Sequence, residues 1–242
     1  KAYIWMTLSI GLGTILATYS KENGALLPLL ILVIEFCNPN KQNSPIWQWR
    51  LICLGLPSIL ITCLLLKEIN FSANPWPSRN FNQLERLMSE ARIVTEYLFR
   101  LYIPQIEGQG LYQDGYQVSR SLINPISTMY SILFLSTLFL SSFFLRKKYP
   151  LYALAILFFF AAHLMESTLL RLELYFEHRN YTAAIFIFLP TAAGLYWLSE
   201  KVKPKLVFTI SCFIIAVFSV MTLQRANLWS DTQKLKLYWA QN

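Results

Sequence analysis

Four stretches of this chain are too oily for too long to belong to a water-soluble fold. "LYALAILFFFAAHLMESTLL" (151–170) and "TAAIFIFLPTAAGLYWLS" (182–199) are two of them; 122–145 and 205–222 are the others. A helix needs about 20 mostly apolar residues to cross roughly 30 Å of hydrocarbon. Backbone groups in lipid must also be satisfied within the segment itself, which leaves helices as the solution for runs of this kind. Three further runs, 3–20, 24–37 and 51–66, complete a set of seven expected spans, of which 24–37 and 51–66 are the shortest. Composition agrees: 55% of the 242 residues are hydrophobic and 14% are charged, against about 25% charged in an ordinary soluble domain. The expected fold is all-α, a polytopic transmembrane bundle over residues 1–222.

The net charge of +8 would suit nucleic acid if it were spread evenly. It is not. Seven crossings from Lys1 put Lys1, Lys41, Arg50, Arg146, Lys147, Lys148, Lys201, Lys203 and Lys205 on one side. Those nine cations face only Glu35 and Glu200, a net of +7. The remaining twelve cations and eleven acids leave the other side at +1. Short loops rich in Lys and Arg face the cytoplasm, so the charge is a topology signal and argues against a nucleic-acid partner. The long loops and the C-terminus are then extracytoplasmic. A bacterial inner membrane fits the compact loops, with the endoplasmic reticulum as the alternative. The first span is not a signal peptide, because no small-residue cleavage site follows a short apolar core. The chain reads as an interior or C-terminal piece of something longer. Cys37, Cys53, Cys63 and Cys212 lie in or beside apolar runs without metal-ligand spacing, as small packing residues do.

The outer side carries a tight turn, "YSKENG" (19–24), a long loop (67–121), a short loop (170–181) and the terminal stretch 223–242. Within the long loop, Leu84, Leu87, Met88, Ala91, Val94, Leu98, Leu101 and Tyr102 recur at three- and four-residue steps. That stripe predicts an amphipathic helix over 81–103, ended by Pro104. Glu85, Arg86, Glu90, Arg92, Glu96 and Arg100 form its opposite side, with three i,i+4 pairs of opposite charge. Such a helix can lie along a membrane surface or dock on the bundle.

Charges in or against apolar spans are costly, so each needs a reason. The candidates are Lys21, Glu22, Glu35, His163, Glu166, Glu177, His178 and Arg179. His163 and Glu166 share a helical face, but H-x-x-E alone is a weak metal signal, and His163 fits a helix-packing hydrogen bond better. Lys21-Glu22 and Glu177-His178-Arg179 both fall at outer span ends and can converge on one cavity. Lys and Arg offer donors for a phosphate or diphosphate, and His adds a donor or proton-transfer group. The plainer alternative is an interfacial charge cluster that anchors helix ends.

At these residues the chain resembles a known family. "LATYSKENGALLPLLILVIEF" (16–36), "EARIVTEYLFRLYIPQ" (90–105), "FEHRNYTAA" (176–184) and "NLWSDTQKLKLYWAQN" (227–242) are similar, in order, to motifs of GT-C-type membrane glycosyltransferases. The last three resemble one branch, the transmembrane-and-tetratricopeptide-repeat O-mannosyltransferases and their bacterial relatives. The resemblance implies transfer of a sugar from a polyprenyl-phosphate carrier to a protein or glycan acceptor at the outer membrane face. It implies catalytic acids upstream of Lys1 and tetratricopeptide repeats after Asn242. It assigns Lys21, His178 and Arg179 to the donor phosphate, with Glu22, Glu177 and Tyr181 in support. Arg92 is a further donor or a helix anchor. It gives no metal ligands and leaves a divalent ion undecided. A lipid-linked glycan ligase or polymerase, and a non-catalytic scaffold binding lipid headgroups, are the alternatives.

Overall fold

The computed structural model describes residues 1–40, 42, 44–72, 76, 79–105 and 115–241, with side chains up to residue 237. It is 74% helical, and no strand occurs among the described residues. The helices are α1 (Ala2–Ser20), α2 (Leu27–Cys37), α3 (Trp47–Lys67), α4 (Gln83–Tyr102), α5 (Ser127–Leu145), α6 (Pro150–His163), α7 (Leu189–Ser199), α8 (Pro204–Ser230) and α9 (Thr232–Gln241). A broken helical run, Glu177–Phe186, leads into α7 at an angle of 41°. In α3, Pro57 cannot donate a backbone bond, and the preceding Leu51–Gly55 turn widens to a π-helix.

Four helices, α1, α3, α5 and α8, are long and apolar enough to cross a bilayer, and the bent run with α7 makes a fifth. This is the pattern of a multi-pass membrane protein. The difference from seven expected spans lies in 24–37 and 151–169. The first becomes a 3₁₀ turn, Glu22–Leu26, followed by the 11-residue α2. The second stops being helical after 14 residues, just before the charged Glu166. At 1.5 Å per residue α6 reaches about 21 Å, short of the hydrocarbon thickness.

The short α6 is the hub. It is apolar all round, as a fully enclosed helix must be, and nine of its residues are buried, among them Ile156, Phe158 and Phe159. It packs against α2, α5, α7 and the broken run. By contrast α1 buries none of its residues and α8 only Val207. Their exposed Leu, Ile and Phe side chains are the surface expected of helices bathed in lipid. Cys63 of α3 and Cys212 of α8 are exposed, and Cys37 alone of the four cysteines is buried.

Side-chain contacts sort the loops to two ends. At one, Tyr3 meets Trp49, Phe36 meets Phe143, and Arg146 lies over Phe36. This basic end holds 146–149 and 201–205. At the other, Lys21 reaches Glu166, and Gln83 bonds the backbone of Glu68 and Leu169.

The helix expected over 81–103 is α4. Asn82 caps it, accepting from the Glu85 N–H while the Glu85 carboxylate accepts from the Asn82 N–H, a capping box. Its burial differs from the amphipathic reading. Met88, Val94 and Leu98 face the core, but so do Arg86 and Glu90, whereas Leu84 is exposed. The helix docks on the bundle, and two of the six residues of its supposed polar face are among its most buried. Of the long loop expected over 67–121, residues 73–75, 77–78 and 106–114 lie outside the described residues.

The turn between α1 and α2 depends on Gly24. A Cβ there would sit 2.1 Å from the Ala17 carbonyl carbon, while one at Gly11 would meet nothing within 4 Å. Gly24→Ala should therefore cost about 1–3 kcal/mol by overpacking and lower the unfolding midpoint in detergent. Gly11→Ala should leave it unchanged or higher. Equal midpoints for the two variants would contradict this account of the turn.

Candidate functional site

The site is built where the unwound chain after α6 meets α4. Residues 164–176 leave helical geometry, so their backbone carbonyls need donors from elsewhere. Arg86, fully buried, supplies them. Its guanidinium donates to the carbonyls of Glu166 (2.7 Å), Thr168 (3.3 Å), Glu173 (3.2 Å) and Leu172. Tyr97, three turns along the same helix, holds the next stretch. Its hydroxyl donates to the Phe176 carbonyl (2.8 Å) and accepts from the Phe176 N–H (2.7 Å). The ring stacks on His163, which in turn meets Ser167 and Asn180. His163 is thus a packing hydrogen-bonder. Arg79 and Glu173 close the outside of the loop at 2.7 Å.

Inside this frame sits a charge network. Glu90 lies between Arg86 (2.9 Å) and Arg179 (3.6 Å), and Lys21 reaches Glu166 at 2.7 Å. Arg179 also donates to the Leu174 carbonyl at 2.9 Å. The Arg86 nitrogen nearest Glu90 already serves the Glu166 carbonyl, so Glu90 is held mainly by charge, with the Ser167 hydroxyl in reach of its carboxyl. Burial therefore wins: it pushes the Glu90 carboxyl up to about 7, against the pull of Arg86 and Arg179. Burial likewise pulls the Arg86 guanidinium down, although an arginine stays charged. Three fixed cations, Lys21, Arg86 and Arg179, thus face two carboxyls, one of which is only partly ionised at neutral pH. The network carries net positive charge.

Beside it opens a cavity of about 750 Å³, with Arg100, Glu177, His178, Tyr181 and Trp229 in its lining. Glu177 is held by Arg225 of α8 at 2.5 Å and by Arg100 at 3.4 Å, and Arg100 also pairs with Glu96.

The expected residues take different places in this arrangement. Lys21, His178 and Arg179 are neighbours: His178 is within electrostatic reach of both cations and of Glu166. They do not share one surface. His178 lines the cavity and is exposed, the Lys21 side chain is 46% exposed, and Arg179 is buried at 5%. Glu22, exposed at the start of the 3₁₀ turn, does not orient Lys21; Glu166 does. Glu177 orients Arg100 and Arg225 rather than its sequence neighbours, since Arg179 belongs to Glu90. Tyr181 is 84% exposed at the cavity. Arg92 anchors the chain, donating to the Gln117 carbonyl (2.8 Å) and Ser119 Oγ (3.3 Å) and covering the Tyr116 ring. The residues missed are Arg86, Glu90 and Arg225. The Arg86/Glu90 pair was visible as an i,i+4 pair, but its burial was not. Arg225 lies one turn beyond an apolar run.

No family model, curated protein or solved structure matches the chain.

The Glu90 carboxyl titrates above its unfolded value of 4.5. Its contribution to stability is therefore full below about pH 4.5 and is lost as pH rises through about 7. Between pH 5 and 8 the unfolding midpoint should fall, and Glu90→Gln, which cannot ionise, should flatten that slope. An identical slope in the two proteins would show that Glu90 is fully ionised throughout.

Proposed function

We propose that this chain is part of a membrane glycosyltransferase that takes a sugar from a polyprenyl-phosphate carrier and passes it to a hydroxyl acceptor at the outer membrane face. The observation that supports the reading is the excess of cations over carboxyl charge in the Lys21–Glu166–Arg86–Glu90–Arg179 network, beside a cavity carrying His178, Tyr181 and Trp229. A phosphate placed at the mouth would meet Lys21 and His178 directly. Arg179 would act on it from behind, through space. Fixed cations help most where charge grows on a leaving phosphate, and aromatic rings at a wet edge suit a sugar face.

The seven-crossing arrangement belongs to the same proposal. In it α2 and α6, too short to span alone, pass between the two ends as enclosed members of the bundle. The basic end lies in the cytoplasm, and α4 rests near the outer surface. The chemistry of proton removal from the acceptor would come from acids upstream of this chain.

Lys21 and His178 are the residues to test, because both are exposed and their loss spares the core. In the full-length protein, Lys21→Ala should lower transfer from a polyprenyl-phosphate sugar about tenfold, the weaker end of a charge-assisted phosphate contact. Lys21→Arg should restore most of it, and His178→Ala should also lower it. Near-normal transfer in both alanine variants would end the proposal.

A further inference from the structure

A second cleft, of about 730 Å³, opens at the opposite, basic end between the turn joining α5 to α6 and one face of α7. Its walls are apolar, from Leu145, Leu151, Pro190, Ala193 and Gly194. Pro190, Ala193, Gly194 and Trp197 recur at three- and four-residue steps on one face of α7, and the small residues there leave the space open. Its rim is polar and aromatic: Lys148, Tyr149, Tyr152 and Trp197. Tyr and Trp of this kind mark the headgroup level of a bilayer.

The rim also carries positive charge: Lys148 lines it, and Lys201 stands one turn past Trp197, with Glu200 beside it in sequence. Lys148 lies 5.2 Å from the Tyr149 ring, and Lys201 lies 6.0 Å from the ring of Trp197. Among the described residues no salt bridge engages either lysine. At the other cavity, by contrast, Arg100 is matched by Glu96 and Glu177. The first turn of α6, at Pro150–Tyr152, opens on the same rim with the positive end of its helix dipole. Lys147 and Lys203 stand in the same two loops.

We infer that this cleft is a binding site for an anionic glycerophospholipid, with an acyl chain between α6 and α7 and the phosphate between Lys148 and Lys201. An apolar slot in lipid fills with chains whatever its rim. The two unmatched lysines select the headgroup, as basic pockets between transmembrane helices do. The inference does not rest on the sugar-transfer reading; it uses other residues at the other end.

The test is native mass spectrometry of the full-length protein in detergent, titrated with phosphatidylglycerol and with phosphatidylcholine of the same chains. Phosphatidylglycerol should bind at least tenfold more tightly. A lysine near the lipid surface is worth about fivefold, so Lys148→Gln with Lys201→Gln should weaken phosphatidylglycerol about thirtyfold. That double variant alters only exposed side chains and leaves the packing intact. Gly194→Leu should weaken both lipids by filling the slot, where an added Cβ meets nothing within 4 Å. Equal affinity for the two lipids, or phosphatidylglycerol affinity unchanged by either variant, would overturn the inference.

Discussion

Arg86 donates from the first turn of α4 to four carbonyls of the stretch that follows α6, while its charge rests against Glu90. The rest of the charged end depends on that fan of bonds. A chain that unwinds next to lipid leaves carbonyls that water cannot reach, and only a planar guanidinium has enough fixed donors to serve several at once. With 166–174 held in this way, Glu166 faces Lys21, Leu174 faces Arg179, and Phe176 meets Tyr97. Glu177-His178-Arg179 is then presented at the start of the broken run rather than buried in a continued helix. The unwound segment and the charge cluster are consequences of one another.

The two ends of the bundle use charge differently. At the end built around Arg86, the cations are held by carboxyls that they outnumber, Arg86 and Arg179 buried and Lys21 at the edge, so that position is fixed and a positive excess is left. At the basic end the described lysines are exposed, in short loops, and no salt bridge engages them. Charge in the first arrangement is costly to bury and useful for holding a ligand. Charge in the second is cheap, and it suits lipid headgroups and the orientation of the chain.

Much of the helical outline was legible in the sequence, and the reasons are local. Apolar runs gave α1, α3, α5 and α8, and the three- and four-residue stripe gave α4 to within about two residues of each end. What periodicity could not supply was which face of α4 turns inward. Burial there is decided by the carbonyls of 166–173, eighty residues away, and so Arg86 and Glu90 looked like solvent-side partners. The lengths of α2 and α6 were also overstated, because hydropathy does not register a Gly24 turn or a helix that unwinds before Glu166. Of the candidate site, the proximity of Lys21 to Glu177-His178-Arg179 followed from span ends meeting at one side. The pairing did not: Lys21 with Glu166, Arg179 with Glu90 and Glu177 with Arg225 are all long-range.

The central claim is that the cation excess at the Lys21 end holds the phosphate of a lipid-linked sugar. A structure of the full-length protein with a polyprenyl-phosphate sugar bound tests it most directly. The account predicts the phosphate at the mouth of the network, in contact with Lys21 and His178, with the sugar in the cavity beside Tyr181 and Trp229. A phosphate bound elsewhere, with Lys21 still closed on Glu166 and the cavity empty, would contradict it.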